Sequence, residues 1–427
     1  MKKSLFFMIL VISMFLTSCT NNSDILNKPV VLTLAVYGER GIPAVRIFNE
    51  SQDEFYIEQV DYSQNGSLSS AEALTRLNAE LNSGKGPDLF YLWNMDMDVE
   101  VYGQKGYLED LYPYLDKDPQ LSREDILPSL RAAYEVNEKL YGTVSSFGIY
   151  TMFGSSEELS SYDEWNFDAM LDLAEKHGGV TELLSTVYSK NEFLQSALQA
   201  TLSDFADLTT GEVFFDSDSF RNLLLFCNEL ESAPDYSEPP KNPGISFYVI
   251  NSFNQLQFYE ALYGGEISFV GYPSSTNGGH CFINLIDQFA MNSESQNKDG
   301  AWQFLRILLT EEYQTEYDNA QFPTNVKALE NKILEAQADV ETDPGSPLLD
   351  ASEILNEDNF IFTSATDQQI DNVMSLINGT ATIGNSQFEL IELVVNEAED
   401  YFQGAKSLDD VVSIIQHITT MYFAERQ

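Results

Sequence analysis

The chain has 427 residues, of which 22 are Lys or Arg and 67 are Asp or Glu, so its formal net charge at pH 7 is −45. A negative charge of this size repels nucleic acids and anionic lipid headgroups, so neither is expected as a partner. Hydrophobic residues make up 43% of the chain and aromatic residues 12%, which excludes a disordered protein. At roughly 150 residues per domain, the length predicts two or three domains with sizeable cores.

The first residues are typical of an export signal. Lys2 and Lys3 precede an apolar run over residues 5–16, and a run of about 12 residues fits a signal peptide but not a bilayer-spanning helix, which needs roughly 20. The following sequence, LTSC at 16–19, resembles a bacterial lipoprotein signal, which implies acylation of Cys19 as the new N-terminus. The alternative is an ordinary secretory signal with an incidental cysteine. Two or more acyl chains would hold the protein stably on a membrane.

The next part of the chain alternates between strand and helix patterns. The apolar run at 30–37 is nearly continuous, as in a strand buried on both faces of a parallel sheet. This order predicts right-handed βαβ units with helices on both faces of a parallel sheet. The predicted elements are a strand over 30–37, a helix begun by Pro43, a strand over 55–60, a helix capped by Ser69 or Ser70 and ended by Gly84, and a strand over 88–92.

Helical patterns predominate after about residue 155, and strand patterns return later. This order predicts a chain that leaves one α/β lobe, forms a second lobe and returns to the first. The predicted elements are helices over 167–176 and 220–230, strands over 266–270 and 282–283, a helix over 300–310, a helix over 388–402, and a C-terminal helix begun by a Ser407–Asp410 capping box.

Cysteine and histidine chemistry is sparse. Cys227 and Cys281 lie in apolar stretches and are expected to be core residues, with a disulfide between them left open. His177, His280 and His417 are too scattered for a zinc site, so no metal or other cofactor is expected.

Short motifs throughout the mature chain match one known family. In this order they resemble the extracellular solute-binding proteins of bacterial ABC importers, in particular the sugar-type group that includes maltose-binding protein. The motifs are GPDLF at 86–90, KGYLEDL at 105–111, TGE at 210–212 with FDS at 215–217, FVGYP at 269–273, AWQFL at 301–305 with EEYQ at 311–314, FPTN at 322–325 and AEDYFQGAKS at 398–407.

The resemblance implies a two-lobed periplasmic-binding-protein-like α/β fold, class II, in which each lobe is a mainly parallel sheet flanked by helices. Ligand is then bound between the lobes, at the carboxyl ends of the strands. Crossing segments are expected near 145–150, 272–277 and within 319–347. The implied organisation is a signal peptide over 1–18, a tether over 19–29, a first lobe of 30–146 plus 274–322, and a second lobe of 147–273 plus 323–427.

The family places an aromatic platform and carboxylates on loops after the first-lobe strands. Sugars present C–H faces to aromatic rings and hydroxyls to polar side chains, so these residue types fit a sugar. Trp165 and Trp302 begin or line helices and are expected to be structural. The candidate ligand contacts are Tyr37, Glu39, Arg40, Trp93, Asn94, Asp96 and Tyr272.

The resemblance favours a monomeric, lipid-anchored receptor on the extracytoplasmic face of the cell membrane. It would capture an oligosaccharide and deliver it to the permease subunits of an ABC transporter, without catalysis. A peptide or a polyamine remains open as the solute. The alternative function is a surface glycoside hydrolase with paired carboxylates, but with 67 acidic residues such pairs have almost no specificity.

Overall fold

The computed structural model describes residues 28–38, 41–92, 95, 97–184, 189–208, 210–230, 244–274, 279–317, 321–338, 363–384 and 387–424. Within these ranges no helix has both the length and the apolar character needed to cross a membrane. The strands are β1 (Val30–Val36), β2 (Phe55–Asp61), β3 (Leu89–Tyr91), β4 (Glu135–Val136), β5 (Lys139–Leu140), β6 (Thr143–Ser155), β7 (Ile245–Ile250), β8 (Ile267–Phe269), β9 (Phe282–Met291) and β10 (Phe322–Pro323).

Most of the remaining described chain is helical. Two short 3₁₀ helices, Arg123–Asp125 and Leu202–Asp204, supplement the α-helices. The α-helices are α1 (Pro43–Ser51), α2 (Ser70–Asn82), α3 (Val99–Gln104), α4 (Tyr112–Leu115), α5 (Pro128–Ala132), α6 (Ser156–Leu159), α7 (Phe167–His177), α8 (Val180–Leu183), α9 (Lys190–Thr201), α10 (Asp218–Glu229), α11 (Gln255–Tyr263), α12 (Lys298–Leu308), α13 (Glu311–Glu316), α14 (Val326–Gln337), α15 (Asp367–Gly379), α16 (Phe388–Phe402) and α17 (Leu408–Ala424).

The three N-terminal strands confirm the predicted βαβαβ order. Strand β1 is parallel to β2 on one edge and to β3 on the other, and Leu32 and Leu34 of β1 are completely buried. Between β2 and β3, helix α2 begins at the Ser69 N-cap, where Ser69 and Glu72 form the reciprocal hydrogen bonds of a capping box. Local apolar patterning and capping are therefore sufficient to predict this part of the fold.

A long strand connects the lobes. Strand β6 pairs antiparallel with β9 from Thr143 to Tyr150, and with β7 from Ile149 to Gly154. This strand thus links β7, β8, β9 and β10 within a single eight-stranded sheet that also contains β1, β2 and β3. The predicted crossing at 145–150 lies within this strand and stays a prediction. The pairings of β6 with β7, β9 and β10, and of β9 with β3, are antiparallel.

The chain returns to the first lobe along β9. The sequence predicts a strand only at residues 282–283, but β9 continues to Met291 and pairs with β3. Polar residues such as Asn284, Asp287 and Gln288 interrupt its apolar pattern, and for this reason the sequence predicts too short a strand. The predicted crossing at 272–277 stays a prediction, and its residues 275–277 lie outside the described residues. The lobe boundaries in the sequence stay a prediction.

Two hydrophobic clusters fill the lobes. The first surrounds β1, β3 and α12, includes Phe147 and Ile149 of β6, and extends to α11, α14 and α15. The second is formed mainly by helices α7, α9, α10, α16 and α17, with Met152 of β6. This arrangement confirms the two-lobed α/β prediction.

The predicted structural residues lie in these clusters. Trp302 packs 5.7 Å from the ring of Tyr114, measured between ring centroids, and Trp165 donates its indole N–H to the Gly271 carbonyl at 3.0 Å. Cys227 is completely buried, and Cys281 is half-buried. Both thiols are free, which answers the open disulfide question.

Candidate ligand cleft

The carboxyl ends of β1, β2 and β3 meet at one edge of the first-lobe sheet, because the three strands are parallel. Tyr37 follows β1 directly, is half-buried, and donates its hydroxyl to the Leu68 carbonyl at 3.0 Å. Gly38 comes next with φ +71°, a left-handed conformation that favours glycine and turns the chain at the strand end. The side chain of Tyr37 is thus held in place at the predicted site.

Asp61 connects the loops that follow β1 and β2. Its carboxylate accepts hydrogen bonds from the backbone N–H of Gly38 at 3.0 Å, of Ser63 at 2.8 Å and of Asn65 at 2.9 Å, and from the Ser63 hydroxyl at 2.6 Å. Burial alone raises the pKa of Asp61, but these hydrogen bonds outweigh it and lower the pKa to about 2. Asp61 is therefore a charged anchor for the loops at this edge.

The loop after β3 is anchored on both sides of its predicted contact residues. Leu92 donates its backbone N–H to the Gln288 carbonyl at 2.9 Å, and Met95 donates to the Leu92 carbonyl at 3.3 Å. Met95 and Met97 are both buried, and Asp98 caps helix α3 by accepting from the Val101 N–H at 3.0 Å. These contacts fix the ends of the segment over 93–96.

Strand β9 contributes a carboxylate to the same edge. Tyr91, the last residue of β3, donates its hydroxyl to Asp287 at 3.0 Å, and its ring lies 4.9 Å from that of Phe289. Asp287 has φ +51°, which is unusual for a residue other than glycine. Sequence reasoning missed Asp287, and the only signal was a single acidic residue in a run of mixed apolar and amide residues.

A segment from the C-terminal part of the chain runs next to β9. Ile283 of β9 donates its N–H to the Thr382 carbonyl and accepts from the Gly384 N–H, each at 2.8 Å, so the segment before α16 lies beside β9. Burial raises the pKa of Tyr102 in α3, and the charge of Glu389 in α16 contributes to the increase.

The structure describes two of the predicted ligand contacts. Tyr37 lies at the end of β1, as expected, whereas Tyr272 is 0% exposed and packs 5.1 Å from Phe247 and 6.0 Å from Phe282. In this conformation the Tyr272 ring has no contact with solvent. Its role, like that of Tyr37, stays a prediction.

The other predicted contacts fall outside the described residues. The set comprises Glu39, Arg40, Trp93, Asn94 and Asp96, and the predicted lipid attachment residue Cys19 is outside as well. Among the described residues, no three His, Cys, Asp or Glu side chains are grouped so that they could hold a metal ion. The described part of the cleft presents hydroxyl and carboxylate groups to a solute at the ends of the strands.

A family model places the chain among known proteins. Residues 44–345 match the model of the bacterial extracellular solute-binding proteins, which is more than half of the chain. The chain belongs to this family. No curated protein matches it in sequence.

Solved structures of solute-binding proteins share the fold. An ABC substrate-binding protein from Listeria monocytogenes in complex with cycloalternan aligns with a TM-score of 0.56 at 14% identity, over 93% of this chain and 99% of that one. A solute-binding protein from Thermotoga lettingae bound with alpha-D-tagatose aligns with a TM-score of 0.55 at 14% identity, over 92% and 99%. A sugar-binding protein from Xanthomonas citri gives 0.54 at 15% identity, over 93% and 98%.

Proposed function

We propose that this solute-binding protein captures a sugar, in particular an oligosaccharide, between its two lobes and delivers it to the permease subunits of an ABC transporter. The observation that carries the proposal is the edge of the first-lobe sheet, where Tyr37 follows the end of β1 and Tyr91 at the end of β3 donates to Asp287. A solute that touches both walls only when the lobes are closed shifts the population toward the closed state. The permease can then distinguish loaded from empty receptor.

Two arguments support a sugar as the solute. The proteins from Listeria monocytogenes and Thermotoga lettingae, which share the fold, carry cycloalternan and alpha-D-tagatose. The predicted contacts Trp93, Asn94 and Asp96 combine an aromatic ring with hydrogen-bonding groups, which is the chemistry that sugar faces and hydroxyls require. Tyr37, Glu39, Arg40 and Tyr272 complete the proposed set.

The receptor is proposed to be lipid-anchored through Cys19, monomeric, and exposed on the extracytoplasmic face of the membrane. The motif LTSC at 16–19 supports the anchor. Restricted diffusion near the membrane raises the effective concentration of loaded receptor at its transporter. The proposed organisation has residues 19–29 as the tether and the lobes divided near 146, 273 and 322.

A thermal-shift panel tests the proposal. It contains monosaccharides and oligosaccharides, including tagatose and cycloalternan, beside dipeptides and spermidine, and each sample is also analysed for reaction products. A sugar at one hundred times its Kd should stabilise the protein by about 2.7 kcal/mol and be recovered unchanged. Stabilisation by a dipeptide or by spermidine alone would replace the sugar with that solute. Turnover of a glycoside would favour the hydrolase alternative.

Substitution of Trp93 tests the cleft directly. Loss of the stacking ring in Trp93→Ala should weaken the affinity for the stabilising sugar by more than tenfold, as measured by isothermal titration calorimetry. The reason is that an aromatic contact contributes more free energy than burial of its area alone predicts. Trp93→Phe is the matched control, since it keeps a ring at the same position and should lose less. Equal affinity of Trp93→Ala and the unmodified protein would remove Trp93 from the site.

A further inference from the structure

The loop between β2 and α2 has the residue pattern of a calcium-binding loop. In an EF-hand, twelve residues provide oxygen ligands from positions 1, 3, 5, 7, 9 and 12, position 7 through its backbone carbonyl, and glycine at position 6 makes a sharp turn. Residues 61–72 read DYSQNGSLSSAE, in which a serine hydroxyl replaces the more usual Asp or Asn at position 3. The ligand positions and the glycine correspond to Asp61, Ser63, Asn65, Gly66, Ser67, Ser69 and Glu72.

Two short local motifs explain parts of this pattern without a metal ion. Asp61 and Ser63 fit a turn at the end of a strand, and Ser69 and Glu72 fit a capping box. Neither motif requires an amide at position 5, glycine at position 6, or a fixed spacing between the two carboxylates. The complete twelve-residue pattern is therefore evidence beyond either motif, because this spacing brings all of the oxygens around one ion.

The structure gathers the first ligand positions together. Asp61 is the last residue of β2, and its Oδ1 lies 2.6 Å from the Ser63 hydroxyl. The Asn65 N–H donates to Asp61 Oδ2 at 2.9 Å, and the Gly66 N–H donates to Ser63 Oγ at 3.0 Å. These bonds fold the first half of the loop around the Asp61 carboxylate. Oxygens that each lie about 2.3–2.6 Å from one Ca²⁺ ion are ~3 Å apart, which is close to the separation of this pair.

The second half of the loop turns back and begins α2. Gly66 has φ +81°, a left-handed conformation that suits the glycine of position 6. Ser69 then caps the helix at position 9. The Glu72 carboxylate reaches back from position 12 and accepts from the Ser69 N–H and hydroxyl, each at 2.9 Å. Because Glu72 is exposed, its side chain can rotate toward an ion without disturbing the core.

The chemistry of these ligands selects a hard cation. All are oxygens and only two belong to carboxylates, so the loop is compatible with the lack of any metal-holding group of three His, Cys, Asp or Glu among the described residues. With two oxygens from Glu72 and one water on Ser69, the loop offers about seven ligands. Ca²⁺ accepts this number in a flexible geometry, whereas Mg²⁺ requires a near-ideal octahedron. The scattered histidines argue against zinc only and do not bear on an oxygen site.

We propose that the loop over residues 61–72 binds one Ca²⁺ ion. Strand β2 takes the place of the first helix of an EF-hand, and α2 takes the place of the second. Two carboxylates are few for such a loop, and a low ligand charge weakens calcium binding. The expected Kd is therefore about 0.1–1 mM, the range of extracellular calcium modules, and the family to which the chain belongs is extracellular.

The proposed ion lies at the edge of the sheet that carries the candidate ligand contacts. The Gly38 N–H donates to Asp61 Oδ1 at 3.0 Å, and the Tyr37 hydroxyl donates to the Leu68 carbonyl at 3.0 Å. Both bonds join the loop after β1 to the proposed calcium loop, so the ion stiffens the support of Tyr37 and Gly38. This role does not rest on the proposed function, because it is independent of the solute that the cleft binds.

Calorimetric titration of the full chain, first treated with a chelator and dialysed, tests the site. CaCl₂ and MgCl₂ are titrated separately in about 0.15 M NaCl, which screens the general attraction of cations to a chain of net charge −45. Calcium should bind saturably at one site per chain and raise the melting temperature, and magnesium should bind at least tenfold more weakly. No saturable calcium binding would overturn the site. Equal affinity for the two ions would also overturn it, because it would indicate attraction to the acidic surface alone.

Paired glutamine variants locate the ion. Glu72→Gln keeps the capping box, which accepts glutamine as well, but it removes the carboxylate of position 12 and should weaken calcium affinity at least tenfold. Glu192→Gln removes the same charge from the matching capping box of Ser189 at the start of α9, where Thr181 stands at the position that corresponds to Asp61. Its calcium affinity should equal that of the unmodified chain. Unchanged affinity in Glu72→Gln, or equal weakening in Glu192→Gln, would overturn the proposal.

A variant at position 1 separates loss of the ion from loss of the fold. Asp61→Asn should weaken calcium affinity at least tenfold, and the melting temperature of each variant is measured with chelator and with calcium. Calcium should raise the melting temperature of the unmodified chain and of Glu192→Gln, but not that of Asp61→Asn or Glu72→Gln. If Asp61→Asn melts lower in chelator, Glu72→Gln decides. A calcium-dependent rise that persists in Glu72→Gln would place the ion elsewhere and overturn the proposal.

Discussion

Asp61 should contribute to stability in a way that depends on pH. Hydrogen bonds from two loops lower its pKa from an ordinary value of 3.8 to about 2. At about 1.4 kcal/mol for each unit by which the pKa is lowered, this change corresponds to about 2.5 kcal/mol of stability. Asp61 is partly exposed, and solvent screening reduces the expected contribution to about 1 kcal/mol.

The sign follows from the direction of the pKa change. A carboxyl whose pKa is lower in the folded state stabilises that state at pH values above its unfolded pKa, near 3.8, and loses the contribution as the pH falls through about 2. Asp61→Asn should therefore lower the free energy of unfolding by about 1 kcal/mol at pH 7. The difference from the unmodified protein should disappear near pH 2.

Urea unfolding followed by circular dichroism at pH 7, 5, 3 and 2 measures this difference. Asp53→Asn is the control, because it removes the same charge from an exposed position just before β2 and so corrects for the relief of repulsion in a chain of net charge −45. A difference between Asp61→Asn and the unmodified protein that is equal at pH 7 and pH 2 would refute the reasoning. So would a value at pH 7 no larger than that of the control.

Three further predictions concern packing and localisation. Asn325→Ala should lower the free energy of unfolding by about 2–3 kcal/mol, measured by urea titration. The reason is that Asn325 caps α14 and that its buried amide donates to the Leu309 carbonyl at 3.0 Å. A loss under about 0.5 kcal/mol would contradict this. Trp165→Phe keeps the packing but leaves the buried Gly271 carbonyl without its indole donor. The free energy of unfolding should therefore fall by about 1–2 kcal/mol. An unchanged melting temperature would argue against that hydrogen bond. Cys19→Ser should move the protein from the membrane fraction to the soluble fraction, and retention with membranes would exclude the lipid anchor.

Elements with a strong local signal were predictable. The capping box of Ser69 and Glu72 begins α2 where the sequence places it, and Gly178, with φ +95°, ends α7 after His177. Each signal acts within one helical turn, so no knowledge of distant contacts is needed. The apolar run of β1 is equally local, because both faces of that strand are buried from Leu34 to Val36.

The candidate site was predictable only in part. The sequence directs attention to the loop after β1, where Tyr37 lies, but it does not distinguish Asp61 or Asp287 as residues of this edge among 67 acidic residues. What distinguishes Asp61 is four hydrogen bonds from three positions in two loops. These contacts exist only after β1 and β2 have paired, so they cannot be predicted from residue type and spacing.

The sequence by itself determined the local elements, the order of the lobes and the family, because apolar period, caps and short motifs are encoded within a few residues of one another. The tertiary structure alone decided that β9 continues to Met291, that Tyr91 of β3 meets Asp287, and that Tyr272 is enclosed by Phe247 and Phe282. The physical reason is the separation along the chain. Tyr91 and Asp287 are 196 residues apart, and a contact of that range depends on the packing of every element between them.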